Sequence, residues 1–373
     1  MNKISKISFY LFYLIYLLIS FLVLDFFFGN SINKIILKKN KILPQTEYTE
    51  KNSIYHHELL KNYNQEVIYS NFRFKLCTDE NGFRINCEKK YKKKDKDLGN
   101  VFIGDSTTEG TGVNFENTFF GIIEDKKNEK ILTNISSASY SFSIYFAKLN
   151  HLLNNKKFNI KKVILIPDIS DINDEAKIYN LNDYNIVETL KSKANFSDLN
   201  QKKIDKKNYK YLLSKKLPIT YAVLRNIYYY DLPRPIYRYK RNYARAEWTY
   251  NVESTGYGEL GVDGSIKKSL IIMNKIYRLL DEKNVKLSII ILPQPVQILY
   301  DTENSLHAKI FDDFCRNKCE EFLNLYPIFF EKKKTMSDKS IINKYFLKGD
   351  MHFNEEGHKI ISDEIIRKIN LYD

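Results

Sequence analysis

The chain has 373 residues, 43% of them hydrophobic, and 59 Lys and Arg against 45 Asp and Glu give a formal net charge of +14. That length holds one large domain or two modest ones, and that apolar content excludes a globally disordered chain. The lysine runs are scattered and no zinc-finger or RNP pattern is present, so nucleic acid is not the expected partner; the charge reads as a solvated Lys- and Asn-rich surface, with anionic lipid or polysaccharide as the sharper alternative.

The first element is Ile7 to Phe28, ISFYLFYLIYLLISFLVLDFFF. An apolar run of about 20 residues is long enough to cross a bilayer as a helix. A cleaved signal peptide is the rival reading, but the run is long and no small-x-small site follows it, so residues 1–30 are expected to be an uncleaved membrane anchor. Lys3 and Lys6 precede it and Lys34, Lys38, Lys39 and Lys41 follow, so the positive-inside rule does not decide the orientation.

Residues 31–96 read as a stalk with a small β-rich element around Glu66 to Cys87, closed by the lysine-rich linker Lys89 to Lys96. The four cysteines fall in two pairs. Cys77 and Cys87 bracket a turn-rich stretch and suit a hairpin disulfide. Cys315 and Cys319 lie in an expected helix, where a bridge needs a local distortion and a buried apolar contact is the alternative. An even count beyond an anchor fits an oxidising compartment.

From residue 97 strands and helices alternate. Val101 to Ile103, Ile131 to Ile135 and Val163 to Ile166 read as strands, with helices at Glu116 to Glu124 and Ser143 to Leu153. An irregular, Tyr-rich and basic insertion follows at about 179–263; it contains Tyr228 to Tyr230, the run from Pro233 to Tyr243, and Trp248. The alternation resumes with a helix at Ile266 to Asp281, a strand at Val285 to Leu292 and helices at Leu306 to Phe322 and Glu355 to Ile369. This pattern predicts an α/β fold: a three-layer α/β/α domain over 97–373 with a central parallel sheet.

Two short motifs carry the chemistry. Gly104-Asp105-Ser106 follows the first of these strands, and Asp350-Met351-His352 precedes the last helix. A serine hydroxyl needs a base to take its proton, and a histidine serves if a carboxylate orients it. Ser106, His352 and Asp350 are therefore the candidate nucleophile, base and orienting acid. The blander readings are a helix cap for Ser106 and a surface histidine for His352. Asp105 reads as a turn residue and His358 as a packing residue. His56, His57, His151 and His307 have no partner pattern. The acidic run Asp168, Asp171, Asp174 and Glu175 reads as loop and cap residues, so neither a metal nor another cofactor is expected.

The segments Phe102 to Gly112 (FIGDSTTEGTG) and Asp350 to His358 (DMHFNEEGH) resemble the first and last blocks of the SGNH, or GDSL-like, hydrolase family, over about 99–177 and 264–373. The resemblance implies a flavodoxin-like α/β/α fold and acyl-ester chemistry. Two middle blocks depart from the family pattern. Ser139 stands where an oxyanion-holding glycine is expected. For the asparagine of the third block, strand register selects Ser170 and residue identity selects Asn173. Ser139, Ser170 and Asn173 are thus the oxyanion candidates. Asp-x-His spacing is similar to that of membrane-tethered proteins of polysaccharide O-acetylation. The resemblance implies a serine esterase or O-acyltransferase of the cytoplasmic membrane, its catalytic domain extracytoplasmic. Its expected partners are a cell-surface glycan or other acylated substrate and a membrane acyl-donor protein. Tyrosines and Trp248 of the insertion suit sugar faces or plain packing. A lipid-active esterase and a non-catalytic scaffold or glycan binder are the alternatives.

Overall fold

A computed structural model of the chain describes residues 3–40, 43–44, 48–70, 72–88, 96–127, 132–190, 213, 215–226 and 239–371. The lysine run 89–95, Tyr228 to Tyr230 and the part of the basic cluster before Tyr239 lie outside the described residues. The chain forms two compact units, one of Met1–Ile42 with Lys191–Arg234 and the other of Leu43–Leu190 with Pro235–Asp373.

In chain order the first unit holds α1 (Lys3–Asn40). The second begins with β1 (Leu43–Pro44), β2 (Thr49–Asn52), β3 (His56–Leu59), β4 (Asn64–Tyr69), β5 (Phe72–Thr78) and β6 (Arg84–Ile85). It continues with β7 (Asp97–Gly104), α2 (Ser106–Glu109), α3 (Phe119–Lys127), β8 (Leu132–Asn134), α4 (Phe142–Asn150), β9 (Asn159–Ile166), α5 (Asp171–Lys177), β10 (Tyr179–Leu181) and β11 (Val187–Thr189). The next helix, α6 (Pro218–Asn226), belongs to the first unit. The second unit is completed by α7 (Gly261–Glu282), β12 (Lys286–Ile291), α8 (Pro295–Tyr300), α9 (Leu306–Cys315), β13 (Glu321–Asn324), α10 (Tyr326–Glu331), α11 (Asp338–Tyr345) and α12 (Glu355–Lys368).

Nine strands form one sheet in the order β1-β4-β5-β6-β8-β7-β9-β12-β13. Its heart is parallel: β7 pairs with β8 and β9, and β12 with β9 and β13. Alternation along these strands explains the three layers. Val101, Ile103, Val163, Leu165, Leu287 and Ile289 face one apolar core, shared with α4, α7 and α9. Phe102, Ile164, Ile166, Ile290 and Leu292 face the other, shared with α3, α11 and α12. Strands covered on both faces read as continuous apolar runs, as Val163 to Ile166 does. After β7 the chain builds β8 on one side and then crosses to β9 on the other. That reversal opens a crevice at the carboxyl ends of the strands, where ligands bind in open α/β sheets.

The structure departs from the sequence reading in three places. The β-rich element does not stand apart, because β4, β5 and β6 pair antiparallel in series and β6 meets β8, extending the central sheet. The helix expected to run from Leu306 to Phe322 stops at Cys315, and β13 begins at Glu321. A Cys315–Cys319 disulfide closes the turn between them, with Cα atoms 4.7 Å apart, and Phe322 and Leu323 are drawn into parallel pairing with Ile289 and Ile290. Trp248 does not present a sugar face. It is fully buried, its indole N–H donates to the Ile169 carbonyl at 2.8 Å, and it packs edge-on to His307. The expected Cys77–Cys87 bridge is also present, with Cα atoms 5.3 Å apart.

Candidate active site

Ser106 opens α2 directly after β7. Gly104 makes this sharp strand-to-helix turn feasible, because a Cβ there would lie 2.1 Å from Thr108 Oγ1 and 2.7 Å from the Ile166 carbonyl oxygen. Asp105 caps the helix, accepting from the Thr107 N–H at 2.8 Å. The end of α2 is held by Arg84 of β6, a fully buried guanidinium that donates to the carbonyls of Glu109, Gly110 and Val113.

The C-terminal loop brings the partners. His352 Nε2 lies 2.8 Å from Ser106 Oγ, and its Nδ1 lies 2.5 Å from Asp350 Oδ1. The same carboxylate oxygen accepts from the N–H groups of Met351 at 2.8 Å and His352 at 3.2 Å, which fixes the short Asp-x-His turn. Nδ1 facing a carboxylate leaves Nε2 as the nitrogen that takes the serine proton.

Two tyrosines that pattern reading did not single out complete this corner. Tyr69, the last residue of β4, donates to Asp350 Oδ2 at 3.3 Å, and its ring stands edge-on to the His352 ring at 4.9 Å. Tyr239 donates to the Asp350 carbonyl at 2.6 Å. Neither carries a sequence signal, because their contacts depend on the extended sheet and on the packing of the insertion.

Asp105, Asp168 and Asp171 form a buried acidic cluster whose carboxylate oxygens lie within 4.8 Å of one another. Asp168 accepts from Gln294 at 2.9 and 3.0 Å, from Thr107 Oγ1 at 3.3 Å, and from the Ser170 N–H and hydroxyl at 2.8 and 2.7 Å. Asp171 accepts from the Tyr145 hydroxyl at 2.8 Å and the Asp168 N–H at 2.9 Å. Burial pushes the Asp105 carboxyl up to about 7, helped by the Asp168 charge. Burial and then the Asp105 and Asp168 charges push Asp171 upward too. Protons relieve the crowding. The Ser106 hydroxyl also lies 3.1 Å from Asp105 Oδ2, so Asp105 competes with His352 for the serine hydrogen, more strongly when it is ionised.

The three oxyanion candidates lie in different settings. Ser139 is exposed in the loop after β8 and has φ +65°, the left-handed conformation a glycine adopts without steric cost. Its loop is tied to α2 by the Asn134 amide on the Thr108 carbonyl at 2.8 Å and by the Ala138 N–H on Glu109 Oε2 at 2.7 Å. Tyr179 donates to the Ser139 carbonyl at 3.0 Å. The Ser170 hydroxyl is turned to Asp168, and the Asn173 amide donates to the Gly256 carbonyl at 2.9 Å. Both are therefore engaged within the protein. His358 is buried against Phe119 and Phe353, and burial drives it down to about 3.

No family model matches the sequence, and no curated protein does. Three solved structures are similar to it. A psychrotrophic esterase from Pseudoalteromonas sp. has 12% identity and a TM-score of 0.35, over 73% of this chain and 96% of that one. A lipolytic G-D-S-L family protein from Desulfitobacterium hafniense has 10% identity and a TM-score of 0.37, over 72% and 98%. An acetylxylan esterase from Geobacillus stearothermophilus, a catalytic mutant, has 9% identity and a TM-score of 0.38, over 72% and 93%. Identities this low say nothing of substrate. By its layered sheet the second unit has a three-layer α/β/α fold, and its Gly-Asp-Ser and Asp-x-His segments meet through the contact of His352 with Ser106.

Proposed function

We propose that the chain is a serine ester hydrolase or O-acyltransferase, held to a membrane by α1, that acts on acyl groups of an extracytoplasmic glycan. The observation that carries the chemistry is the unbroken chain from Asp350 through His352 to Ser106. Ser106 Oγ attacks the ester carbonyl while its proton passes to His352 Nε2, and Asp350 stabilises the imidazolium. The backbone N–H of Ser106 at the start of α2 and that of Ser139 are the donors assigned to the oxyanion. Collapse expels the alkoxide, which takes the proton from His352 and leaves an acyl-enzyme. Water then gives hydrolysis, and a sugar hydroxyl gives transfer.

The membrane assignment rests on Phe9–Ile32, 24 residues with mean hydropathy 2.4. Both disulfides fit an extracytoplasmic side. The test is acetyl-ester turnover by the full chain in detergent beside Ser106→Ala. Loss of turnover in the variant supports the scheme, and unaltered turnover sinks it. The engaged side chains of Ser170 and Asn173 favour a second reading, a scaffold or glycan binder without a complete oxyanion site. Glycan binding with no ester turnover, with or without a donor-bearing membrane fraction, would select that reading.

A further inference from the structure

Asp25 is the one acidic residue inside the apolar span of α1, and it is 2% exposed. Counted from Phe9 it lies about 24 Å along the helix at about 1.5 Å per residue, within a hydrocarbon core of about 30 Å. A carboxylate at that depth is costly unless it has partners. Here α6 supplies them. Asp25 Oδ1 accepts from the Ile219 N–H at 3.1 Å, and Oδ2 accepts from the N–H and hydroxyl of Thr220 at 2.7 and 2.6 Å. Pro218 opens α6, so Asp25 satisfies the free N–H groups of that helix's first turn from another helix.

The neighbouring turn of α1 is shaped for the same contact. A Cβ on Gly29 would lie 2.0 Å from Asp25 Oδ1 and 3.0 Å from Pro218 Cγ, so glycine leaves the notch into which Pro218 fits. The Asn30 amide donates to the Lys215 carbonyl at 2.8 Å, and the Lys216 ammonium lies over the Phe26 ring at 5.3 Å. These contacts run along one face of α1 from Asp25 to Asn30. Beyond them, α6 turns apolar side chains outward: Val223 is 48% exposed and Leu224 is 51% exposed.

We infer that residues 215–226 form a second membrane attachment, an interfacial helix clamped to the anchor through Asp25, with Val223 and Leu224 in the acyl region of an anionic bilayer. The occupant is lipid because Val223 and Leu224 are exposed apolar side chains on a helix joined to α1, whose own apolar window is only 6% buried. Exposed Lys215 and Lys216 sit at the level of Phe26 to Asn30, where cationic side chains reach headgroups. The clamp requires a retained α1, which a cleaved leader would not provide. This inference rests on the membrane reading of α1 proposed above.

The experiment uses the full chain in vesicles containing phosphatidylglycerol. All four cysteines are in disulfides, so a single introduced cysteine takes a nitroxide label selectively. Leu17→Cys reports on the anchor and Leu224→Cys on α6. The expected result is that both labels are accessible to oxygen and shielded from a water-soluble nickel chelate. Adding Asp25→Leu then exposes the Leu224 label to the chelate at least several-fold, while Leu17 stays shielded. A shielded Leu17 with a water-exposed Leu224 in the otherwise native chain overturns the inference alone. An exposed Leu17 overturns the membrane reading itself. A Leu224 label that stays shielded after Asp25→Leu overturns the clamp.

Discussion

Replacing Asp105 by Asn tests whether the acidic cluster beside the nucleophile is held by protons. Asp105 is fully buried next to Asp168, and its carboxyl rises from 3.8 to about 7. A carboxyl whose folded value lies above its unfolded value binds an extra proton in the folded state. Stability is then full below about pH 4 and falls as pH rises through about 7, the reverse of an ion-paired aspartate. A displacement of that size corresponds to on the order of 4 kcal/mol at pH 8. Because Asp171 is raised in the same cluster, about 2–3 kcal/mol is the expected gain from Asn at pH 8, with little gain near pH 4. Asn caps a helix as well as Asp does, so the α2 N-terminus is kept. Trp248 is the chain's one tryptophan and is fully buried, so its fluorescence reports urea unfolding of the second unit in detergent. An Asn effect that is the same at pH 4.5, 6 and 8 would refute the proton account.

Tyr69→Phe removes the hydroxyl from Asp350 and leaves the ring against His352. A fall of about 3–10-fold in kcat/KM on an acetyl ester, with a displaced acid limb of its pH profile, is expected; an unchanged limb would mean the hydroxyl does not act through the acid. Ser139→Gly relieves a left-handed serine, and a gain of about 0.5–1 kcal/mol in urea unfolding is the expected reading. Arg84→Ala strips three carbonyls of a buried cationic donor, so a loss of about 3–5 kcal/mol should appear in the same assay.

The α/β alternation was legible because buried parallel strands leave unbroken apolar runs, and Val163 to Ile166 and Ile289 to Leu292 are such runs. The nucleophile turn was legible because Gly104 and Ser106 meet strict local geometry. Other features were not legible, for definite reasons. Pairing of β4, β5 and β6 with the main sheet depends on long-range register that a short alternating pattern does not encode. The end of α9 is set by a disulfide, and its apolar periodicity runs past the true end. Trp248 reads the same in sequence whether it faces a ligand or a core. The third-block ambiguity between Ser170 and Asn173 was one of spacing; in space, both side chains are spent on internal partners, Ser170 on Asp168 and Asn173 on the Gly256 carbonyl.

The extension of the sheet by β4 to β6 sets the limits of the smallest transplantable catalytic piece. A gene fragment beginning at residue 97 contains both signature motifs, yet it would expose β8 as a raw edge, leave α2 without the Arg84 that ties its carbonyls, and uncover Asp350 where Tyr69 now stands. Such a fragment would keep the letters of the site and lose the frame that holds them. Swaps, fusions and soluble forms of this protein should be cut ahead of residue 43, where the sheet itself begins.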